Sequence, residues 1–296
     1  MRRKCTTVIL VILIFSFFIY PATASFHYGY STGEEFRYRT LSRISSSMET
    51  NNLVVDNTVE LVAEFTQMIV EKGKDNFSFN IVFDSFEARE HNQEMKSQRE
   101  DRISSTVDHR DDFQKNLNDL KGLPLIQFNI DTRGNLLEKE VAEKVKEVTQ
   151  VNLSSIVQQI LMSFPEDKKA EKEVEWSAYR EFALPQGGHG TSLVTKVDYK
   201  VLEEVEIDDV SCLMIEAQLD FEDSVPLREE GEKQGEIQIK HRGLGFIYYS
   251  PEEGRLIRTI FSQNMEVKVF LEEDRPQKNV DSILNIKMDH IITSID

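Results

Sequence analysis

Arg37, Arg39 and Arg43 stand close together in a chain where cations are scarce, with 35 Lys and Arg against 52 Asp and Glu. Period-two alternation places all three on one face of an extended segment, opposite Phe36, Tyr38 and Ile44. Guanidinium groups bind phosphate and carboxylate through paired hydrogen bonds, so such a strip can hold an anionic headgroup. The simpler use of the same residues is pairing with Asp or Glu on a neighbouring strand. His290 falls on the apolar face of a second alternating stretch, Leu284, Ile286, Met288, His290 and Ile292. A lone histidine there is either a satisfied core residue or a ligand-binding group. Arg37, Arg39, Arg43 and His290 are the ligand-binding candidates.

Other chemistry finds little footing. The six histidines are His27, His91, His109, His189, His241 and His290; none pairs with His or Cys at metal-ligand spacing, and no His-Glu-x-x-His occurs. His189 sits in a glycine-rich loop, 186–191, but the Gly-x-Ser-x-Gly elbow of a serine hydrolase is missing. Cys212 is flanked by Val210, Leu213, Met214 and Ile215, a setting for a buried thiol rather than a nucleophile. Asp208-Asp209 and Glu222-Asp223 lack the ladder of a calcium loop. No phosphate-cradling or dinucleotide fingerprint is present. The expectation is a protein with no catalytic residues, metal or cofactor.

The elements that carry these residues read as long half-buried strands. Phe77, Phe79, Ile81 and Phe83 alternate with polar neighbours, as do Thr195, Val197, Tyr199 and Val201. Two interruptions carry helical spacing. Leu153, Ile156, Val157, Ile160, Leu161 and Phe164 form an amphipathic stripe stopped by Pro165. Phe113, Leu117 and Leu120 precede Gly122, and residues 138–149 are rich in helix formers. Residues 95–110 and 228–233 are charged and read as loops. Trp176, the single tryptophan, is expected to pack at a sheet edge near Tyr179 and Phe182.

The order of elements repeats. A strand–turn–strand unit from Phe65 through Gly73 to Asp84 is matched by one from Tyr199 through Asp208-Asp209 to Asp220. A second unit, Gln127 to Leu136 with Gly134, is matched by Phe246 to Leu256 with Gly254. The fold class is therefore mainly β, with some α. A large curved antiparallel sheet or open half-barrel is built from two similar β-meanders, with a central amphipathic helix packed on it. Residues 25–296 form one β-rich domain whose related halves, about 33–136 and 172–296, are joined by a helical segment, 137–165.

Composition sets the address. Arg2, Arg3 and Lys4, an apolar run from Thr7 to Tyr20, and Ala22-Thr23-Ala24 before Ser25 follow the pattern of a secretory signal peptide, residues 1–24. The run is shorter than the roughly 18 residues of a membrane span, so none is expected in the mature chain. The protein is expected to be exported, periplasmic or extracellular after cleavage near Ala24-Ser25. A formal charge of −17 excludes nucleic acid as a natural partner. Cys212 is left without a disulfide partner after cleavage, so stability must come from packing.

Residues 36–44, 120–136 and 243–261 together resemble a loose group of exported bacterial β-rich proteins of unknown function. These share an opening strand, a Leu-x-Gly-x-x-Leu segment leading to a glycine turn, and a final strand–glycine–strand stretch. Asp208-Asp209 departs from that pattern, where the group often has glycine. The architecture is also similar to the half-barrels of periplasmic lipoprotein carriers. The resemblance brings no active site with it. Three functions compete on these grounds. The first is an interaction or structural module for an unknown envelope protein. The second is a carrier of a lipid or other apolar ligand in the concave face, and the third is a hydrolase with an unrecognised site.

Overall fold

In the computed structural model, residues 25–50, 53–96, 118–144, 158–166, 168–183, 192–229, 232–271 and 282–295 are described. Among these residues eleven strands form one open sheet: β1 (Glu35–Thr50), β2 (Leu53–Lys72), β3 (Asn76–Lys96), β4 (Pro124–Asp131), β5 (Leu136–Val141), β6 (Glu175–Ala183), β7 (Ser192–Ile207), β8 (Val210–Glu229), β9 (Glu232–Ser250), β10 (Arg255–Leu271) and β11 (Ser282–Ser294). Their order across the sheet is β5-β4-β3-β2-β1-β11-β10-β9-β8-β7-β6. Every neighbouring pair is antiparallel, and β5 and β6 are left as edges. β1 and β11, the first and last strands, pair at the centre.

The alternation seen in the sequence becomes two faces. Tyr38, Thr40 and Ser42 on β1 are buried, while Arg37, Arg39, Leu41 and Arg43 between them are exposed. The buried face carries the main core, including Phe65, Phe79, Phe83, Phe128, Val201, Ile215 and Tyr249.

Curvature follows from one short segment. The backbone N–H of Tyr28 donates to Thr132 O in the β4–β5 turn (2.9 Å), and that of Gly29 donates to Gly254 O in the β9–β10 turn (3.0 Å). β4 and β10 are five strand spacings apart in the sheet, about 24 Å at ~4.8 Å each. Adjacent residues reach both turns only because the two wings curl toward each other. Gly134 and Gly254 occupy these turns with φ of 84° and 62°. A Cβ on Gly134 would lie 2.2 Å from Met162 O, and one on Gly254 would lie 2.3 Å from Gly29 N.

Three expectations need correction. Residues 158–164 are not a helix: Gln158–Ile160 make a single 3-10 turn and the chain then runs irregularly. Gln159, Ile160, Leu161, Met162 and Phe164 are all buried, so no polar face remains for an amphipathic helix. Backbone groups of the segment bond outward instead. Met162 N–H donates to Tyr28 Oη (2.8 Å) and Phe164 N–H to Arg133 O (2.8 Å). The carbonyls of Ser163 and Leu161 accept from Trp176 Nε1 (2.8 Å) and from Arg180. Residues 153–157 lie outside the described residues, as do residues 1–24 and most of the 113–120 stretch. Second, residues 137–141, expected to open a helical segment, belong to strand β5, because their backbone completes the ladder of β4; residues 145–149 of that segment lie outside the described residues. Third, the charged 228–233 stretch continues β8 and β9 up to residues 229 and 232. Met95 and Lys96 likewise end β3; residues 97–110 lie outside the described residues.

A chain of rings fills the curled end: Phe26 against Phe164 (5.5 Å between centroids) and Trp176 (5.2 Å), Phe164 against Tyr249 (4.7 Å), and Tyr28 against Tyr30 (5.2 Å). Such pairs add about 0.5–1.5 kcal/mol each beyond their buried area. Trp176 stacks on Tyr199 (5.1 Å), while Tyr179 lies 73% exposed on the opposite face of β6, so the expected Trp176–Tyr179 contact does not form. Farther along β9, Gly243 and Gly245 leave the space occupied by the Phe261 ring; a Cβ on Gly245 would lie 2.1 Å from it and 2.6 Å from Ile260 O. Gly245→Ala should therefore destabilise the fold by about 1–3 kcal/mol, the usual cost of overpacking, read as a lower urea midpoint at unchanged slope.

Candidate functional site

The four candidates do not form one site, because they lie on opposite faces of the sheet. Register sets Ser42 opposite His290 and Arg43 opposite Asp289. His290 thus faces the core and is 2% exposed, while Arg37, Arg39 and Arg43 face outward. Arg37 lies 4.0 Å from Glu64, and Arg43 Nε lies 3.7 Å from Glu60, both acids being on β2. With the side chains of both arginines more than half exposed, these pairs contribute little to stability.

On the core face, His290 Nδ1 is 2.9 Å from Ser42 Oγ, which is 3.3 Å from Thr40 Oγ1. Two strands away, His241 Nε2 is 3.0 Å from Gln263 Oε1, and the Gln263 amide reaches Met288 Sδ at 3.7 Å. This polar seam crosses the middle of the sheet between the main core and a smaller cluster of Ile239, Met265 and Ile286. Burial pushes both imidazoles down, His290 to about 4, against a smaller upward pull from Asp289. Both rings are therefore held neutral. Gln263 and His241 were not singled out in the sequence, although the alternation Ile237, Ile239, His241, Gly243 already put that histidine on the apolar side.

Cys212 is 1% exposed and its thiol is pushed up to about 11, chiefly by desolvation. It lies on β8, three strand spacings (about 14 Å) from β11 and His290, so the two are no nucleophile–base pair. Among the described residues, no group of three or more His, Cys, Asp or Glu is placed to hold a metal ion. No helix among them is long and apolar enough to cross a membrane. His189 and the 186–191 loop lie outside the described residues.

The outer face carries a feature that sequence reasoning missed. Leu41 is opposite Val62 on β2 and Ile291 on β11; Ile291 is opposite Ile260 on β10; Ile260 is opposite Phe246 on β9. Five apolar side chains thus cross five strands in one row. Leu41 is 49% exposed, Ile291 41% and Ile260 37%, with Leu244 beside them at 48%. Arg39 and Arg43 flank Leu41 on its own strand. Four residues farther along the same strands, a groove of about 770 Å³ opens on the outer face.

No protein-family description matches this sequence, and no curated protein matches it. Among solved structures the chain aligns with a lipovitellin structure, described as showing lipid–protein interactions, at 12% identity and a TM-score of 0.45. That alignment covers 90% of this chain and 25% of the other, so this chain spans a quarter of that protein's length. It also aligns with a DUF1329 family protein from Desulfovibrio piger (11% identity, 87% of this chain and 85% of that one, TM-score 0.13). OpdQ of Pseudomonas aeruginosa aligns at 6% identity over 89% of this chain and all of its own, with a TM-score of 0.18. All three scores lie below 0.5, and the fold described above stands on this chain's own strand pairing.

The buried seam predicts an acid dependence. An unfolded histidine titrates near 6.5, whereas His290 in the fold stays neutral down to about pH 4. Above pH 6.5 neither state binds the proton. Between pH 6.5 and 4 the unfolded chain takes it up and the folded chain does not, so stability falls, by about 3 kcal/mol from this residue. His241 adds a loss of the same sign. The measurement is the imidazole NMR titration of His290, expected to stay flat above pH 5, alongside urea midpoints at pH 7, 6 and 5. A normal titration near 6.5 would remove the effect.

Proposed function

We propose that this chain is an exported, non-catalytic interaction module of the cell envelope or the extracellular space, engaging a protein partner through its outer sheet face. The observation that carries this reading is the row Val62, Leu41, Ile291, Ile260 and Phe246, which with the neighbouring Leu244 forms a continuous apolar band on the outer face. An exposed apolar row of this extent, rimmed by charge, is a recurrent mark of protein interaction surfaces. The strand ends near it are filled on the core side by residues 26–30 and 160–164, which leaves the outer face as the side available for binding. The formal charge of −17 selects among occupants. It opposes a second copy and an anionic bilayer alike, and favours a partner presenting an apolar strip with basic flanks. The leader-like residues 1–24 support export.

A second reading, an apolar-ligand carrier, draws on the other end of the core face. There Ile44, Phe221, Ile237, Val267, Leu284 and Met288 are only partly buried around Ile239, Met265 and Ile286. An acyl chain lying on this surface would complete its burial.

A photo-crosslinking residue in place of Ile260, introduced in the producing cells, separates the two. A discrete adduct to one protein is expected, weakened at least tenfold by Leu41→Asp with Ile291→Asp, and absent when the crosslinker replaces the exposed Glu171, which precedes the far edge strand β6. No adduct, together with a stoichiometric apolar mass carried by the purified protein in native mass spectrometry, would overturn the module reading in favour of the carrier.

A further inference from the structure

The outer-face groove has a construction of its own. It spans β2, β1, β11, β10 and β9 and uses two successive outward rows of the sheet. In one row Thr58, Ser45, Lys287, Asn264 and Arg242 stand opposite one another in turn. The next row is Asp56, Ser47, Asn285, Glu266 and Lys240. Four strand spacings make it about 19 Å long, and two residues along each strand make it about 7 Å wide, so it is a trough running across the strands. Its depth comes from side-chain length. Ser45 and Ser47 put small hydroxyls on β1, and Asn264 and Asn285 put short amides on β10 and β11. The longer Lys240 and Arg242 rise at the β9 wall.

The chemistry of that lining is specific. The floor offers hydroxyls and amides, each both donor and acceptor, beside the charged Asp56, Glu266 and Lys287, and Met265 and Ile286 also line it. Thr58 Oγ1 donates to Ser45 Oγ (3.3 Å), but among the described residues the side chains of Ser47, Asn264 and Asn285 have no protein hydrogen-bond partner. At the wall, Arg242 engages Asp220 through Nε (3.3 Å), which leaves its Nη donors without a partner among the described residues. Lys240 contacts Glu222 (3.2 Å). Both acids sit on β8, outside the groove lining; inside it Glu266 stands opposite Lys240 and is paired with Lys268 (2.8 Å), while Arg242 stands opposite the neutral Asn264. Among the described residues no aromatic ring lines the trough, so recognition there rests on hydrogen bonds and charge rather than on stacking.

We infer that this groove binds a linear polyhydroxylated chain, an oligosaccharide, anchored by a sparse carboxylate on Arg242 and Lys240. Length and linearity come from the trough, hydroxyl recognition from the serine and asparagine floor, and the single acidic anchor from the free guanidinium fork. Dense polyanions are ruled out as preferred ligands by the −17 charge of the whole molecule, which repels them before contact. This inference is independent of the apolar row and of its partner.

The test uses the full chain and three hexasaccharide probes: hyaluronan, with carboxylates on alternate sugars; cellohexaose, with none; and heparin, densely charged. Binding is read by NMR shift changes at Asn264 and Asn285 and by calorimetry. Hyaluronan is expected to bind saturably in the millimolar range or below. Arg242→Gln with Lys240→Gln should weaken it about tenfold, the scale of one charge-assisted hydrogen bond, and bring it level with cellohexaose. Asn285→Leu, a surface change that leaves the cations intact, should weaken both probes together. Shift changes absent with all three probes would overturn the inference. So would heparin binding tightest with a steep salt dependence, since that is ion exchange at surface cations. Unchanged urea midpoints in each variant confirm that the fold is intact.

Discussion

Everything about the shape of this protein hangs on the tie made by Tyr28 and Gly29. Two adjacent peptide groups hold turns that lie five strand spacings apart in the sheet, and the sheet has to bend to satisfy both. Once bent, it has a face that can be filled and a face that cannot. Met162 is locked against the Tyr28 hydroxyl, which both accepts from its N–H and donates to its carbonyl. The Phe164 ring packs against that of Tyr28 at a tilt of 47°. Gly134 and Gly254 are the points where any side chain would push the tie away. Curvature, core and crossing segments are thus one arrangement rather than three.

The two faces then divide the chemistry. Histidine, serine, threonine and glutamine residues meet on the core side, where burial holds both imidazoles neutral and hydrogen bonds offset part of the desolvation. Cations, an apolar row and a polar trough share the outer side. A polar seam inside a sheet core is costly unless its members satisfy one another, and here it lies along the central pairing of β1 with β11 and their neighbours. The interior supplies stability and the exterior supplies surface chemistry, with no side chain asked to do both.

Much of the fold was legible in the sequence because period-two alternation survives wherever one face is buried. Phe77 to Phe83 and Leu284 to Ile292 are strands for that reason. The 158–164 segment misled because its apolar spacing fits a helix, yet it is buried nearly all round and bonds to Tyr28, Arg133, Trp176 and Arg180 instead of to itself. Only tertiary contacts can reveal that. Leu136 to Val141, full of helix formers, became an edge strand because β4 offered it a ladder. The candidate residues show the same divide. That Arg37, Arg39 and Arg43 face away from Tyr38 follows from parity alone. That Leu41 belongs to an apolar row does not, because Ile260 and Ile291 are brought beside it by pairing of distant strands. A single leucine among arginines carries no signal until its neighbours are known.

The pairing of β1 with β11 has a consequence in time. Ser42 and His290 are 248 residues apart in the chain, and their strands share the longest sequence separation in the sheet. While the polypeptide is being made, β1 can pair on one side with β2, but its other edge stays open until the last strand emerges. That edge carries unsatisfied backbone groups along 16 residues, a template for pairing with a neighbouring nascent chain. Loop closure over such a span is slow, so the half-finished sheet persists. Arg37, Arg39 and Arg43 set like charges along that strand, which opposes its pairing with the same strand of a second chain. The composition that marks the surface of the finished protein therefore also guards its assembly.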